Sequence, residues 1–258
     1  MSKKCFIEQS CGLGDILLAC KIGHHFAAQG HEVIWPVQPV YANLSSWVNT
    51  EGFRFANIAS NFKYKEQYQE IVSRQSSEVI ETADYIFAPL RRSFFSNTGQ
   101  ELSKSKSHDA ANMHGKFTMC NLTHHGWQDY FEIIRNEENE QKLCEQLELS
   151  QTKYHIVNKN FGTPPKWKEE LNKDIHTPFP EKRVEMFMSP EYSVFDWLKI
   201  FENASRIDTV STSTFYLFEK IELNCIPTIY SRNNSDRSYA ENFNWLEDLA
   251  RKQYLFIS

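Results

Sequence analysis

Four residues near the amino end, Gly12-Leu13-Gly14-Asp15, combine two glycines with a carboxylate at the predicted start of a helix. Gly12 and Gly14 are candidate ligand contacts, because glycine lets the backbone approach a bound molecule closely. Asp15 has two compatible interpretations, a general base and a helix residue that stabilises the dipole by about 0.3–1 kcal/mol. A nicotinamide-cofactor fingerprint needs a third glycine near Leu17. None is present, so we expect no such cofactor.

A second candidate is the run Ser211-Thr212-Ser213-Thr214, four hydroxyl residues at a predicted strand-to-helix junction. Hydroxyls and free backbone N–H groups at such a junction can bind phosphate oxygens. The carboxyl end of a parallel strand is also where α/β proteins bind ligands. The pattern favours a phosphate site over the alternative, a solvated and well-capped turn. Glu219, in the following helix, is predicted either to accept a hydrogen bond from a ribose hydroxyl or to be an exposed helix residue.

A third candidate is the loop after the first predicted strand of the second half. It contains Lys159, Gly162, Thr163 and Lys166. Two lysines beside a glycine and a threonine suit a diphosphate, whose charge they could neutralise without a metal ion. The alternative is that each lysine is simply a solvated surface residue.

Several motifs that would point to other chemistry are missing. The chain has no Asp-x-Asp pair, no H-E-x-x-H, no P-loop and no G-x-S-x-G. The adjacent histidines at 24–25 and 124–125 do not have the i, i+4 spacing of helical metal ligands. We therefore expect no metal site and no cofactor.

The elements that must position these residues follow an alternating α/β pattern. In the first half, strand 4–9, helix 16–29 and strand 31–37 form a predicted βαβ unit, which implies parallel pairing. Strand 85–88, a long loop at 91–114 and a helix at 127–149 follow. In the second half, strands 154–158, 184–188, 207–210 and 226–230 alternate with helices 194–203, 215–222 and 242–254. We predict an α/β protein with domains 1–150 and 151–258.

Composition narrows the function further. A hydrophobic content of 41% makes disorder unlikely as the main state of the 258 residues. A net charge of −5, with neither half basic, argues against nucleic acid or an anionic membrane as a partner. The amino end has no signal-peptide core, and no apolar stretch near it reaches about 20 residues. The six cysteines include no C-x-x-C pair. We expect a cytoplasmic protein without a transmembrane segment.

The same motifs resemble a known family. The stretch Gly12 to Ala19 resembles the N-terminal G-x-G-D-x-L motif of heptosyltransferase-like GT-B glycosyltransferases. Thr163 to Trp167 resembles the family's Thr…Lys-x-Trp loop, and Asp208 to Thr214 resembles its donor-diphosphate segment. Ser213-Thr214-Phe215 is also similar to fucosyltransferase-like GT-B proteins. The chain departs from the family in its short length and in lacking the usual D-[ST]-G-x-x-H pattern.

The resemblance implies two Rossmann-like α/β/α domains facing a cleft, with a C-terminal helix that can cross back. The first domain would take a glycan acceptor and the second a nucleotide-diphosphate sugar. It implies an inverting, metal-independent transfer of a hexosyl, heptosyl or deoxyhexosyl group with Asp15 as general base. Gly12, Gly14, Glu219 and the residues of the second and third candidates would bind the nucleotide sugar.

Two other functions fit the same fold. One is a sugar-nucleotide epimerase or hydrolase, and the other is a non-catalytic protein that binds nucleotides or glycans. The sequence does not choose the donor, the sugar, the acceptor, the linkage or the oligomeric state.

Overall fold

A mainly parallel sheet organises each half of the chain. The computed structural model describes residues 2–59, 62–74, 76, 78–91, 108–149, 152–161, 169–170, 175, 181–231 and 243–257. It divides the chain into two units, Met1–Ile134 and Arg135–Ser258. The predicted fold class, an α/β protein with parallel sheets, is confirmed.

The first unit is built around a five-stranded sheet with the order β4-β2-β1-β6-β5, in which only β5 is antiparallel to its neighbour. Its strands are β1 (Lys4–Ile7), β2 (Glu32–Val37), β3 (Val48–Asn49), β4 (Phe55–Asn57), β5 (Ile80–Glu81), β6 (Tyr85–Ala88) and β7 (Glu132–Ile133). Its helices are α1 (Leu13–Leu18), α2 (Cys20–Ala28), α3 (Leu44–Trp47), α4 (Lys65–Ser73) and α5 (His108–Met119). Strands β3 and β7 form a separate antiparallel pair.

Strand β1 is the central strand because its side chains are apolar on both faces. Cys5, Phe6 and Ile7 are all fully buried, as expected for a parallel strand covered on both sides. On one face α2 approaches the sheet at Gly23. A Cβ there would lie 2.7 Å from the Phe53 ring, which stacks on Trp35.

The second unit is built around a five-stranded, fully parallel sheet with the order β11-β8-β12-β13-β14. Its strands are β8 (Tyr154–Asn158), β9 (Asn160–Phe161), β10 (Glu169–Glu170), β11 (Lys182–Glu185), β12 (Arg206–Val210), β13 (Thr228–Tyr230) and β14 (Leu255–Ile257). Its helices are α6 (Glu137–Gln146), α7 (Leu198–Asn203), α8 (Thr214–Phe218) and α9 (Phe243–Leu249). Strands β9 and β10 pair separately and antiparallel.

Helix α6 belongs to the second unit because ionic contacts tie it to α7. The Glu140 carboxylate is buried and accepts hydrogen bonds from the Arg135 side chain and from the backbone N–H of Lys199. Arg135 also pairs with Glu202 at the end of α7. The structural division therefore comes before this helix, whereas the sequence placed a boundary after it, at residue 150.

Three predicted elements need correction. The single helix predicted at 127–149 is a 3-10 turn at Trp127–Tyr130, then β7, then α6. It breaks because Phe131 is extended, so that β7 can pair with β3. The loop predicted at 91–114 gives way to α5 from His108 onward, while 92–107 lie outside the described residues. The helix predicted at 242–254 ends at Leu249, and β14 follows it.

Candidate active site

Three buried polar residues directly follow β1, the central strand of the first unit. Glu8, Gln9 and Ser10 come directly after β1, and all three are buried. The backbone N–H of Glu8 donates to Ala88, and that of Arg91 donates to Glu8, so the polar segment continues beside β6. Buried polar groups at the carboxyl end of a parallel sheet stand where ligands bind in α/β proteins.

The loop then turns into α1 at Gly12. This residue has a φ of +78°, a backbone conformation that glycine adopts without strain. Asp15 lies in the first turn of α1, and its carboxylate folds back over the loop. A Cβ at position 12 would lie only 2.6 Å from Asp15 Oδ2. The backbone conformation therefore favours glycine at position 12, and any larger residue there would have to displace the Asp15 carboxylate.

Asp15 is paired with a buried lysine from α5. The side chain of Lys116 is 1% exposed, and its Nζ lies 3.2 Å from Asp15 Oδ1. Nζ also donates to Gln9 Oε1 at 2.7 Å and to the Leu90 carbonyl at 3.0 Å. A lysine is almost never fully buried unless it is paired. The ion pair with Asp15 and the two hydrogen bonds meet that requirement.

Gln9 connects this pair to the rest of the loop. Its Nε2 donates to the Cys11 carbonyl at 2.6 Å, and its backbone carbonyl accepts from Trp35 Nε1 at 2.9 Å. One side chain thus holds both the ammonium of Lys116 and the backbone just before Gly12.

Tyr41 completes the surroundings of Asp15. Burial raises the pKa of its phenol to about 12, and the neighbouring Cys11 and Asp15 act in the same direction. The backbone N–H groups of Gly12 and Leu13 donate towards its oxygen and oppose that rise. The phenol is therefore neutral near pH 7.

The sequence analysis identified Asp15 but missed Gln9, Lys116 and Tyr41. The polar run 8–10 directly after an apolar strand was the available signal for Gln9. No local pattern indicates Lys116 or Tyr41, because each reaches Asp15 from a distant part of the chain.

In the second unit, the predicted hydroxyl run lies at the carboxyl end of β12. Asn158 Nδ2, at the end of the neighbouring β8, donates to Thr209 Oγ1 at 3.0 Å. Thr209 Oγ1 lies 3.3 Å from Thr214 Oγ1, which lies 3.0 Å from Thr212 Oγ1. The hydroxyls of Thr209, Thr212 and Thr214 thus form a hydrogen-bonded series, which we call the threonine chain.

The caps of α8 differ from the sequence expectation. Ser213 occupies the N-cap position, but its side chain makes no capping hydrogen bond. The backbone N–H of Thr214 instead approaches Thr212 Oγ1 at 3.3 Å. The helix itself is shorter than the predicted 215–222 and ends at Phe218. Ser211, Thr212 and Ser213 are half-buried, whereas Thr214 is buried.

Lys159 and Glu219 have different surroundings. Lys159 is half-buried and directly follows Asn158 in sequence. Glu219 is buried, and Oε2 accepts from the backbone N–H of Arg251 at 2.7 Å. Its Oε1 accepts from the Tyr254 hydroxyl at 2.7 Å. Glu219 is thus not an exposed helix residue but an anchor for the C-terminal segment, and these bonds compete with the predicted ribose contact.

A second buried ionic cluster lies on the sheet of the second unit. Asp208 Oδ2 lies 2.6 Å from His155 Nε2 and accepts from Arg206 Nε at 2.8 Å. Arg206 Nη2 donates to Oδ1 at 3.2 Å. Burial raises the pKa of Asp208, but the hydrogen bonds from His155 and Arg206 outweigh it and hold that pKa below its usual range.

The structure thus brings Gly12, Gly14 and Asp15 together in the first unit. In the second unit it places Thr212 and Thr214 in the threonine chain, which Asn158 joins through Thr209. Gly162, Thr163 and Lys166 lie outside the described residues. Within the described parts of the chain, no helix is long and apolar enough to span a membrane.

Comparisons with known proteins give one structural finding. No protein-family model matches the chain, and no curated protein matches it in sequence. Among solved structures it is similar to E. coli heptosyltransferase WaaC with ADP-2-deoxy-2-fluoro heptose, at 11% identity, with 90% of each chain covered and a TM-score of 0.42. At that distance the likeness says nothing about substrate or residue roles.

Proposed function

We propose that the chain is an inverting, metal-independent glycosyltransferase that moves a sugar from a nucleotide-diphosphate sugar to a hydroxyl of a glycan acceptor. The observation that carries this proposal is the arrangement of Asp15. A carboxylate that is 26% exposed stands at the carboxyl end of a parallel sheet, beside the buried ammonium of Lys116. The G-x-G-D motif that the sequence shares with the heptosyltransferase-like family includes this same residue.

Asp15 would act as the general base. It takes the proton from the acceptor hydroxyl while that oxygen attacks the anomeric carbon from the side opposite the diphosphate. The bond between the anomeric carbon and the diphosphate oxygen breaks, and its electron pair leaves with the nucleoside diphosphate. A single in-line displacement of this kind inverts the anomeric centre.

The second unit would stabilise the leaving diphosphate. The half-buried hydroxyls of Ser211, Thr212 and Ser213 can donate to phosphate oxygens at the carboxyl end of β12. Lys159 would supply positive charge next to them, and fixed donors and charges of this kind stabilise charge that develops in a transition state. Gly162, Thr163 and Lys166 belong to the same proposed diphosphate site.

Ligand binding is the first test. UDP, GDP, ADP, CMP and their common sugar conjugates would be screened by thermal shift, with and without EDTA. A ligand at about 100 times its Kd stabilises the native state by about 2.7 kcal/mol. We expect one nucleotide family to shift the melting temperature equally in both conditions. A shift that EDTA abolishes would contradict metal independence, and no shift with any nucleotide would contradict the proposal.

Substitution of the base is the second test. Asp15→Asn should lower the rate of sugar transfer roughly 10²–10⁴-fold, because the amide cannot accept the proton. Nucleotide affinity should stay within about twofold, since the proposed diphosphate site lies in the other unit. The control is Asp84→Asn, an exposed carboxylate of the same unit. Binding without transfer in the wild type would favour a non-catalytic binding protein, and donor conversion without acceptor would favour an epimerase or hydrolase.

A further inference from the structure

We infer that Lys116 is a positioning residue for Asp15, which holds Oδ1 so that Oδ2 is the oxygen that receives the acceptor proton. The inference rests on the proposed function, and it adds to that proposal a residue and a choice of oxygen atom. Lys116 is the only buried lysine among the residues that the structure describes, and its aliphatic chain comes from α5 rather than from the loop that carries Asp15.

Lys116 is placed to orient, not to touch a substrate. Nζ donates hydrogen bonds to Gln9 Oε1 and to the Leu90 carbonyl, and it forms an ion pair with Asp15 Oδ1 at 3.2 Å. Its side chain is only 1% exposed, so this nitrogen is closed off from solvent. A sugar hydroxyl or a phosphate therefore has no open position on this nitrogen.

The acceptors of those two hydrogen bonds are fixed independently of Asp15. The Leu90 carbonyl belongs to the backbone just after β6, and Gln9 is itself held by the Cys11 carbonyl through Nε2. The ammonium is thus anchored to the sheet edge, and Asp15 is the partner whose position depends on it. Lys116 is therefore the member of the pair that positions the other.

The two carboxylate oxygens of Asp15 have different surroundings. Oδ1 faces Lys116, whereas Oδ2 lies over Gly12, close to where a Cβ would stand. No side chain or backbone N–H that the structure describes donates a hydrogen bond to Oδ2. The Asp15 side chain is 26% exposed, so a hydroxyl arriving from solvent can approach the carboxylate. With Oδ1 facing the ammonium of Lys116, we assign proton transfer to Oδ2.

A double-mutant cycle tests the inference. The variants are Lys116→Met, Asp15→Asn and the double substitution, with Lys21→Met as the control. Lys21 is a lysine of the same unit that donates to the His125 carbonyl and not to the loop of Asp15. Melting temperature, kcat and KM would be measured. The last two would come from nucleoside diphosphate release that depends on an added glycan acceptor, with the UDP-, GDP- or ADP-sugar that binds in the ligand screen.

The expected kinetic result is specific to positioning. Lys116→Met should lower kcat roughly 10–100-fold, because a carboxylate displaced by about 1 Å loses its productive geometry. KM for the nucleotide sugar should stay within about twofold. In the Asp15→Asn background the same substitution should have no further effect on kcat. An equal fall in kcat in both backgrounds would overturn the inference, because Lys116 would then act through something other than Asp15.

The melting temperatures separate failure of this inference from failure of the proposed function. Each single substitution should lower the melting temperature by roughly 5 °C or more, and the double substitution should lose clearly less than the sum, as for a paired buried charge. Additive losses would overturn the pairing itself. If the losses are coupled but the wild type releases no nucleoside diphosphate from any sugar nucleotide, the proposed function has failed, and the positioning role fails with it.

A second variant keeps the test sharp if Lys116→Met does not fold. Gln9→Glu keeps the size of the side chain and adds a carboxylate that competes with Asp15 for Lys116. We expect kcat to fall by roughly tenfold and the melting temperature to fall as well, because the new carboxylate cannot donate to the Cys11 carbonyl as Nε2 does. An unchanged kcat in a folded Gln9→Glu protein would contradict the positioning role.

Discussion

Two of the buried ionic clusters among the described residues use the same kind of acid in opposite ways. In the first unit Asp15 pairs with Lys116 at the carboxyl end of the sheet, and its side chain is 26% exposed. In the second unit Asp208 pairs with His155 and Arg206 on the strands themselves, and it is fully buried. The first acid is reachable from solvent, and the second is not.

The difference lies in how many oxygens are already engaged. Asp208 accepts from Arg206 on both oxygens, and His155 adds a contact to Oδ2. Asp15 has a charged partner only on Oδ1. A carboxylate engaged on both sides stabilises a fold, whereas one with an open oxygen can exchange a proton with a ligand. A buried charge therefore does not by itself indicate a catalytic role. The place of the acid relative to the end of the sheet, and whether one of its oxygens has no charged partner, must be considered too.

The largest effect that would test this comparison is expected at Asp208. Asp208→Asn removes the anion that Arg206 and His155 share, so the free energy of unfolding should fall by about 3 kcal/mol. Nucleotide affinity and turnover per folded molecule should be unchanged, because Asp208, although it precedes Thr209 of the threonine chain, is fully buried and both of its oxygens are engaged by His155 and Arg206. Urea denaturation would measure the free energy of unfolding, and titration with the nucleotide selected by the screen would measure affinity. Nucleoside diphosphate release per folded molecule would measure turnover. A loss of turnover in the folded variant would contradict the division between the clusters.

The pH dependence of stability provides the control for Asp208. The pKa of this carboxyl is held below its unfolded value, so its contribution is fully present above about pH 4. That contribution is lost as the pH falls through the lower pKa of the folded state. The wild type should therefore lose stability on acidification more steeply than Asp208→Asn does. Parallel curves for the two proteins would mean that Asp208 is not the group that titrates.

The strands that lie in the core were predictable from sequence, because burial leaves a continuous apolar run. The prediction of 85–88 and 154–158 matches β6 and β8 residue for residue. The helix predicted at 127–149 fails for a non-local reason. Its apolar residues fit helical spacing, but Phe131 is extended and the next two residues pair with β3. Such pairing depends on a strand far along the chain, which a local pattern does not contain.

The candidate site shows the same limit. Gly12 and Asp15 could be selected from the sequence because they lie in one short run, and their roles stay a prediction. Lys116 and Tyr41 could not be selected, because only the folded chain brings them to Asp15. Glu219 was predicted to contact a ribose or to be exposed. Its actual partners are in the segment 251–254, which the sequence assigned to a helix.

A smaller effect that would sharpen the comparison is expected at Gly12. Gly12→Ala and Gly30→Ala both place a side chain at a positive φ, +78° and +81°, so each should lose about 1–2 kcal/mol of stability. Only the first puts a Cβ at 2.6 Å from Asp15 Oδ2, since nothing lies within 4 Å of the second. Turnover should therefore fall in Gly12→Ala alone.

The two glycines are matched in φ, so a comparison of the two variants offsets the strain that a positive φ causes. Denaturation would verify that their stabilities are similar, and the kinetics of nucleoside diphosphate release would then report the displaced carboxylate. Equal turnover in Gly12→Ala and Gly30→Ala would show that Oδ2 is not the oxygen that matters.

The smallest effects are expected in the second unit. There a substitution in the threonine chain should change mainly stability, and a substitution of the neighbouring Ser213 should change mainly nucleotide binding. Thr209→Val leaves the buried Asn158 amide without its acceptor and should cost about 1–2 kcal/mol, with little change in nucleotide affinity. Ser213→Ala should leave stability within about 0.5 kcal/mol, because its hydroxyl caps nothing in the described structure. It should weaken nucleotide binding roughly threefold to tenfold if that hydroxyl donates to a phosphate. Denaturation and calorimetric titration of both variants would measure the contrast. An unchanged affinity in Ser213→Ala would remove this hydroxyl from the proposed diphosphate site, and the first unit would then hold the stronger part of the functional proposal.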